Sequence, residues 1–356
     1  MRAAQRCARG DSAVPQKKSL NVGKNALSFS SPTDGGRFDG MIRVQDLKKF
    51  FGQKKAVNGV SFTVEKGEVL GFLGPNGAGK STTMRMITGF IPPTEGTVSV
   101  GGFNVTEEPL KARRLIGYLP ESAPAYAEMS VRGFLEFVAE LRGLRGAAKK
   151  SAVDRVIEMC FLDSVAEQTV ETLSKGYKHR TCFAQSIIHD PEVLIMDEPT
   201  EGLDPNQKHE VRTLIRRMGE KKAIIFSTHI LEEVEAVCSR AIIIDRGQIV
   251  ANGTPAELKQ RSQYAGAVRV RLTRGDDGAR QKLAQLPLAD RITTLDGAAA
   301  GWRIFSKDKR ATHDLARAIG ELAAREHWTL EELHIEEGRL DEVFRSITLP
   351  DTRQTT

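Results

Sequence analysis

The residues of this chain best suited to chemistry form one segment, 74–82, which carries the pattern GxxxxGK[ST]. Glycines let backbone N–H groups approach phosphate oxygens, and a predicted helix over 81–88 places the phosphates at a helix N-terminus. A glycine-rich turn without a ligand is the alternative, but the full pattern after an apolar run favours a triphosphate. The predicted binding residues are Gly74, Pro75, Asn76, Gly77, Ala78, Gly79, Lys80, Ser81 and Thr82.

A second segment, 193–200, contributes two adjacent carboxylates, Asp197 and Glu198, after another apolar run. A buried strand would deliver them to the edge of an α/β sheet where ligands bind. Asp197 is predicted to hold magnesium together with Ser81, Glu198 to polarise an attacking water, and Lys80 to reach the β- and γ-phosphates. A solvated acidic loop is the alternative, and the upstream phosphate loop favours phosphoryl transfer instead.

Length, cysteine content and hydropathy limit the class of protein. A chain of 356 residues suggests two or three domains. Its four cysteines lie far apart without a CxxC pair, which argues against a disulfide framework or zinc site and for a reducing compartment. No stretch approaches the roughly 18 apolar residues of a membrane-spanning helix, so another chain would have to supply a span.

The net charge of +6 is concentrated in residues 1–40, where seven basic and three acidic residues sum to +4. The rest of the chain is close to neutral, so no nucleic-acid partner is expected. Residues 1–40 lack apolar periodicity, and we expect a disordered extension. An organellar presequence fits its composition, but Met41 directly opens the first predicted strand and is the favoured true start.

From Met41 the chain alternates strand and helix signals, which indicates an α/β domain over 41–260. Strands are predicted at 42–44, 56–64, 97–100, 103–105 and 116–119. Ser130 is predicted to cap one helix and 151–160 to form another, so a helical insertion is expected over about 121–190. Short apolar runs, typical of parallel strands buried on both faces, follow at 193–196, 223–226 and 241–244.

The tail, 266–349, is predicted to be a small α+β domain. Its predicted elements are strand 268–272, helix 280–286, strands 291–295 and 302–305 around Asp296-Gly297, helix 312–327, strand 328–335 and helix 341–347. The order β-α-β-β-α-β suggests a ferredoxin-like fold. The tail contains no catalytic cluster. A role in dimerisation or regulation is our hypothesis, and simple packing onto the nucleotide domain is the alternative.

Over residues 42 to about 260 the chain resembles the ATP-binding subunits of ABC transporters. Besides the two segments above, the resemblance rests on LSKGY at 173–177, in the place of the signature LSGGQ, on GLDP at 202–205 and on STH at 227–229. In this family two subunits pack head to tail, and each nucleotide lies between one phosphate loop and the signature of the other subunit.

The resemblance implies roles for further residues. Asp204 would lie in the loop that links the two sites, His229 would touch the γ-phosphate, and Phe51 would stack on adenine. The residues implied to complete the partner's site are Leu173, Ser174, Lys175, Gly176 and Tyr177.

The family fold implied is a P-loop ATPase core with a parallel sheet and an antiparallel β subdomain, a helical insertion and a small C-terminal domain. The activity implied is magnesium-dependent ATP hydrolysis by a homodimer that drives a separate membrane permease at the inner face of the cell membrane. LSKGY together with YLPE at 118–121 is similar to exporter ATPases of the gliding-motility and drug-resistance type. The segment 121–126, a short loop with a proline and one aromatic residue, is the predicted permease contact, and an ordinary surface loop is the alternative.

Several residues depart from the family pattern. Glu121 stands where the loop that senses the γ-phosphate usually carries Gln, and Lys175 and Tyr177 replace Gly and Gln of the signature. A weakened site is the alternative, yet every group needed for phosphoryl transfer is present, and Lys175 offsets the charge of Glu121. His179 also departs from the pattern, without a role that the sequence indicates.

Two other functions remain open at this point. One is a soluble ABC-type ATPase acting on ribosomes or DNA, against which a single phosphate loop and the absence of sustained heptads argue. The other is a nucleotide-binding regulator without turnover, which Glu121 and Lys175 keep open.

Overall fold

The structure is a computed structural model that describes residues 40–122, 124–274, 277–295 and 300–348. The predictions for residues 1–39 and for the turn at Asp296-Gly297 lie outside these ranges. The described residues fall within one compact unit, from Asp39 onward. None of their helices is both long and apolar enough to cross a bilayer.

The first part of the fold contains an antiparallel sheet and five helices. In chain order its elements are β1 (Ile42–Phe51), β2 (Lys54–Val64), β3 (Val69–Leu73), α1 (Lys80–Ile87), β4 (Glu95–Val100), β5 (Phe103–Asn104), α2 (Pro109–Leu115), β6 (Ile116–Leu119), α3 (Val131–Leu141), α4 (Gly146–Met159) and α5 (Lys175–Ile187). The antiparallel sheet has the order β2-β1-β4-β5.

The strand β1 is longer than the predicted 42–44. Its pairing with β2 and β4 shifts register around Asp46, which has a positive φ of 43°. Gly96 lies opposite, where a Cβ would be 2.3 Å from the Asp46 carbonyl oxygen. This irregularity breaks the alternation of side chains, so periodicity could not identify the second half of the strand.

The second part supplies most of the central sheet. Its elements are β7 (Val193–Asp197), α6 (Pro205–Gly219), β8 (Ala223–Thr228), α7 (Leu231–Val237), β9 (Arg240–Asp245), β10 (Gln248–Gly253) and α8 (Pro255–Lys259). The six strands have the order β10-β9-β3-β8-β7-β6, parallel except for β10. Every residue of β3, β7 and β8 is buried, as expected for parallel strands covered on both faces.

The register of the sheet brings three segments to one edge. Leu73 of β3 pairs with Thr228 of β8, and Asp197 of β7 pairs with Ser227. The phosphate loop, Glu198 and His229 each follow one of these strands, so they leave the sheet side by side.

The helices α3, α4 and α5 form the insertion and share a hydrophobic core. The Ser130 hydroxyl caps α3, as predicted, by accepting a hydrogen bond from the Gly133 N–H at 3.1 Å. The helix α4 begins at Gly146 rather than at Ser151. Its first turns, GAAKK, are rich in helix-favouring residues but carry no apolar periodicity, so only the second half was predicted.

The tail contains β11 (Ala267–Leu272), α9 (Asp277–Ala284), β12 (Ala289–Thr294), β13 (Gly301–Ser306), α10 (Thr312–Arg325), β14 (Leu330–Ile335) and α11 (Leu340–Ile347). Its strands form an antiparallel sheet in the order β12-β13-β11-β14. Up to β14 the element order is β-α-β-β-α-β, the split βαβ arrangement. The boundary at residues 260–266 stays a prediction.

The last helix, α11, packs onto the ATPase part rather than onto the sheet of the tail. Leu340 is buried in one cluster with Leu73 of β3, Val234 of α7 and Leu258 of α8, and Phe344 packs against this cluster. The tail is therefore in contact with the strand that leads into the phosphate loop.

Candidate functional site

The backbone of the phosphate loop requires its glycines. Gly77 and Gly79 have φ values of 77° and 109°, which L side chains rarely adopt. A Cβ at Gly74 would lie 2.4 Å from the Ile244 carbonyl oxygen, and one at Gly79 would lie 2.6 Å from that of Ala56. The loop is thus seated tightly against its neighbours, and α1 begins directly after it at Lys80.

The Lys80 ammonium group is buried and bonded to its own loop. Its Nζ donates to the carbonyl oxygens of Gly74 at 2.8 Å and Pro75 at 3.3 Å. The same Nζ lies 3.7 Å from Oε1 of Glu198. The phosphate loop and the loop after β7 therefore meet at a buried ion pair.

A cleft of about 380 Å³ lies over the loop. It is lined by residues of the phosphate loop together with Phe51, Glu121 and Glu198, so four separately predicted parts of the chain are brought together here. Lys54, which the sequence analysis did not name, also lines the cleft. Phe51 is 53% exposed, and the Lys49 ammonium group lies 5.3 Å from the centroid of its ring.

Asp197 is almost fully buried at the end of β7. Oδ1 accepts a hydrogen bond from the Ser227 hydroxyl, whereas Oδ2 is buried without a hydrogen-bond partner among the described residues. A buried carboxylate oxygen without a donor is costly, and such an oxygen is a good ligand for a hard divalent cation. This side chain therefore fits magnesium.

Glu198 and His229 lie in contact at the edge of the sheet. The Nδ1 atom of His229 is 3.1 Å from Oε2 of Glu198. Glu198 has a φ of 52°, and its N–H is within 3.1 Å of the Ser227 hydroxyl oxygen, which holds this unusual backbone conformation. Burial raises the pKa of Glu198 above its ordinary value. The hydrogen bond with His229 and the positive charge of Lys80 act in the opposite direction, but burial is the larger effect.

The signature segment lies outside the cleft over the phosphate loop. None of residues 173–177 lines the cleft over the phosphate loop. Ser174 caps α5 by accepting from the Tyr177 N–H at 3.4 Å, while Leu173 and Gly176 are buried. The structure therefore does not bring the signature residues to the phosphate loop of the same subunit.

The signature packs instead against the predicted inter-site loop. A Cβ at Gly176 would lie 2.6 Å from Oε1 of Gln207, and one at Gly202 would lie 2.5 Å from Nζ of Lys175. Gln207 and Asp204 form a capping box at the start of α6, in which the Gln207 N–H donates to Asp204 at 2.9 Å. The two segments thus form one packed unit.

His179 follows the signature on α5 and is buried. Neither ring nitrogen has a hydrogen-bond partner among the described residues. Burial, assisted by the charge of Lys175, lowers its pKa to about 4. The imidazole is therefore neutral at physiological pH.

The sequence analysis missed a buried carboxylate behind the site, Glu233 of α7. It is 1% exposed and accepts hydrogen bonds from the hydroxyl groups of Thr200 and Thr228. An acidic residue in the first turn of a helix is common because it favours the helix dipole, so the pattern alone gave no reason to single it out.

Comparison with known proteins agrees with this site. The ABC transporter family matches residues 57–201. The linearmycin resistance ATP-binding protein LnrL of Bacillus subtilis is 40% identical over 223 residues, which cover 62% of this chain and 71% of LnrL. The Nod factor export ATP-binding protein I of Ralstonia nicotianae is 35% identical over 253 residues, which cover 71% of this chain and 78% of that protein.

A solved structure of an ATP-binding subunit of an ABC transporter has 29% identity and a TM-score of 0.58. The match covers 62% of this chain and 92% of that one. The predicted ATPase fold is thereby confirmed. The chain belongs to the ATP-binding subunits of ABC transporters, a family of ATP-hydrolysing enzymes.

Proposed function

We propose that this chain hydrolyses magnesium-bound ATP as a head-to-tail homodimer and thereby drives export through a separate membrane permease. One observation supports the proposed dimer. The cleft contains the phosphate loop, Glu121 and Glu198 but no residue of the signature, which packs with the inter-site loop on other elements. A second copy of the chain supplies the missing half.

The phosphate loop and Lys80 bind the triphosphate. Backbone N–H groups at the start of α1 donate to phosphate oxygens, and phosphate replaces the carbonyl oxygens of Gly74 and Pro75 as acceptor for the Lys80 ammonium group. Ser81 and Asp197 hold the magnesium ion, which neutralises charge on the β- and γ-phosphates when bound. Phe51 stacks on the adenine.

Glu198 is the base that orients and deprotonates the attacking water. A pKa raised by burial brings this carboxylate closer to the working pH, which favours proton transfer. The Nδ1–H group of His229 donates a hydrogen bond to Glu198, and the ring reaches the γ-phosphate from the end of the neighbouring strand. The contact between His229 and Glu198 orients the base.

The partner subunit contributes its signature to the γ-phosphate. Ser174 and the Gly176 N–H lie at the N-terminus of α5, where backbone donors and the helix dipole favour an anion. Lys175 adds a positive charge at the same end of the helix and offsets the carboxylate of Glu121. ATP binding then closes the dimer, and release of phosphate reopens it.

The permease contacts the surface around the segment 121–126 and the helices that follow it. Tyr126 is 59% exposed, and its ring packs edge-on against Phe137 at 5.5 Å. A rigid exposed aromatic side chain is a frequent anchor of protein interfaces.

Three exposed apolar side chains extend this surface: Phe90, Leu110 and Leu141 are 72%, 71% and 70% exposed. Arg113 links them. It lies three residues after Leu110 on α2, its guanidinium donates to the carbonyl of Gly89, and its own carbonyl accepts from Arg142. An apolar surface around an arginine is typical of an interface core.

Export is proposed because LnrL is named as a resistance protein and the Nod factor protein as an export protein. With a permease as partner, the chain works at the inner face of the cell membrane.

Affinity purification of the tagged Glu198→Gln protein from membranes with ATP present, followed by mass spectrometry, tests this proposal. Without its base the dimer stays closed on ATP, and we expect a polytopic membrane protein to co-purify. Glu232→Gln, an exposed change on α7, is the control. The Tyr126→Ala variant should recover less of the membrane protein. Recovery of ribosomal or DNA-bound proteins instead would overturn the permease proposal in favour of a soluble ATPase.

A further inference from the structure

We propose that Glu233 is a positioning residue for ATP hydrolysis, because its buried carboxylate holds together the two loops that carry Glu198 and His229. The loop after β7 continues from Glu198 to Thr200, and the loop after β8 runs from Thr228 to the start of α7. Glu233 contacts both loops from behind the site.

The contacts use both carboxylate oxygens. Oε2 accepts a hydrogen bond from the Thr228 hydroxyl at 2.8 Å, and Oε1 accepts one from the Thr200 hydroxyl. All three residues are at most 3% exposed. Hydrogen bonds to a carboxylate in a buried environment are stronger than hydrogen bonds between neutral groups. Glu233 therefore holds the two loops together strongly.

The proton positions on Thr228 follow from its neighbours. The Ile230 N–H donates to the Thr228 hydroxyl oxygen at 3.0 Å. The hydroxyl oxygen is therefore an acceptor toward Ile230, and its hydrogen is available for Glu233. Residues 228 and 230 are both held in this way, and His229 lies between them.

The Arg212 guanidinium forms an ion pair with this carboxylate. Its Nη2 atom lies 3.4 Å from Oε1 of Glu233, from the middle of α6. This guanidinium therefore offsets the negative charge of the carboxylate. Because Asp204 of the inter-site loop caps α6, the contact with Arg212 also connects this helix to the two catalytic loops.

The consequence for the site is geometric. Glu198 and His229 meet at 3.1 Å, and Glu233 bridges the same two loops through Thr200 and Thr228. If this bridge is weakened, the loops can move apart and the base loses its orientation toward the attacking water. A misplacement of about 1 Å can lower a rate about 100-fold without removing any reacting group.

The test is the Glu233→Gln variant, which keeps the size of the side chain but replaces one acceptor oxygen with an NH₂ donor and removes the charge. Glu232→Gln is the matched control because it makes the same change at an exposed position of the same helix. We expect kcat for ATP to fall at least about tenfold in Glu233→Gln, with KM within about twofold of the wild-type value. The control should retain both constants.

A purely structural role predicts a different result. In that case the melting temperature of Glu233→Gln would fall while kcat per folded subunit stayed within about twofold of wild type, and this outcome would overturn the proposal. Thr228→Val and Thr200→Val remove one hydroxyl each and provide a second measurement if Glu233→Gln does not fold.

Each threonine variant should also lower kcat. Combining Thr228→Val with Glu233→Gln should add little further loss, because both changes break the same link. Effects on kcat that multiply fully would show that the two side chains act independently and would contradict the proposal.

Discussion

The phosphate-loop cleft and the signature segment differ in how their polar groups are satisfied. In the cleft, Lys80 and Glu198 are buried and close to each other, and Asp197 has a buried oxygen without a partner among the described residues. In the signature, Ser174 caps its own helix and Gly176 packs on Gln207. The cleft therefore holds charged groups that a ligand would pair with, whereas Ser174 and Gly176 of the signature contact partners within the same chain.

This difference indicates two kinds of half-site. The cleft is prepared for a polyanion and a cation, and it concentrates the groups that react. The signature offers a helix N-terminus whose residues Ser174 and Lys175 are exposed and do not line the cleft of the same subunit. In the proposed dimer, closure joins a reactive half to a binding half, which makes hydrolysis dependent on assembly.

The largest effect is expected from Glu198→Gln, which removes the base and keeps the shape of the side chain. General-base catalysis contributes about 10²–10⁴ to a rate, so steady-state phosphate release should fall at least about 100-fold. Binding of a fluorescent ATP analogue should remain close to wild type, because the phosphate loop is unchanged. Turnover within about threefold of wild type would assign the base to another residue.

A smaller but clear loss is expected from Gly176→Ala in the signature. The added Cβ would lie 2.6 Å from Oε1 of Gln207 and would disturb the packing with the inter-site loop. We expect kcat to fall about tenfold or more, an estimate from the sensitivity of rates to misplacement, while nucleotide binding to the isolated subunit is retained.

Gly320→Ala is the control for this variant, because its added Cβ would lie at an ordinary 3.8 Å from the Leu333 side chain. Loss of nucleotide binding in Gly176→Ala would contradict the separation of the two half-sites.

Glu198 in the cleft should make the stability of the fold depend on pH. Burial raises the pKa of Glu198, so the folded protein favours its protonated form more than the unfolded chain does. Ionisation of Glu198 therefore lowers the free energy of unfolding as the pH rises through and above the ordinary glutamate range. The Glu198→Gln protein lacks this loss.

Melting temperatures of the two proteins, measured from acidic to mildly alkaline pH, should diverge in favour of Glu198→Gln as the pH rises. A difference that shrinks with rising pH would indicate that the ionised carboxylate is stabilised in the fold.

The smallest effect is expected at the inter-site loop. Asp204→Ala removes the cap of α6 and should lower the free energy of unfolding by about 1 kcal/mol. Chemical denaturation measures this change, and Asp308→Ala, which removes a local side-chain bond in the tail, gives a comparison. No change in Asp204→Ala would mean that the capping box does not stabilise the helix.

The sequence predicted the reactive half-site well because its residues are contiguous. The glycines, Lys80 and Ser81 follow one strand, and Asp197 and Glu198 follow another, so strand prediction was enough to place both at the sheet edge. Phe51 and Glu121 were assigned through the family resemblance, and the structure places both at the cleft.

What the sequence did not predict depends on tertiary contacts. Glu233 is linked to Thr200 and Thr228, and Gly176 is packed on Gln207, but these partners are separated along the chain and no periodicity joins them. The first turns of α4 were missed because their residues are exposed and carry no apolar pattern. Sequence patterns identify strands and loops, whereas side-chain bridges between loops require coordinates.

The most direct test of the central claim is complementation between two full-length variants. Lys80→Ala removes the reactive half-site and Gly176→Ala damages the binding half-site, so each protein alone should have little ATPase activity. In a random mixture, half of the dimers are mixed, and each mixed dimer has one intact composite site. The account predicts recovery of up to about a quarter of the wild-type rate on mixing. Activity that stays at the level of the separate variants would contradict a site shared between two subunits.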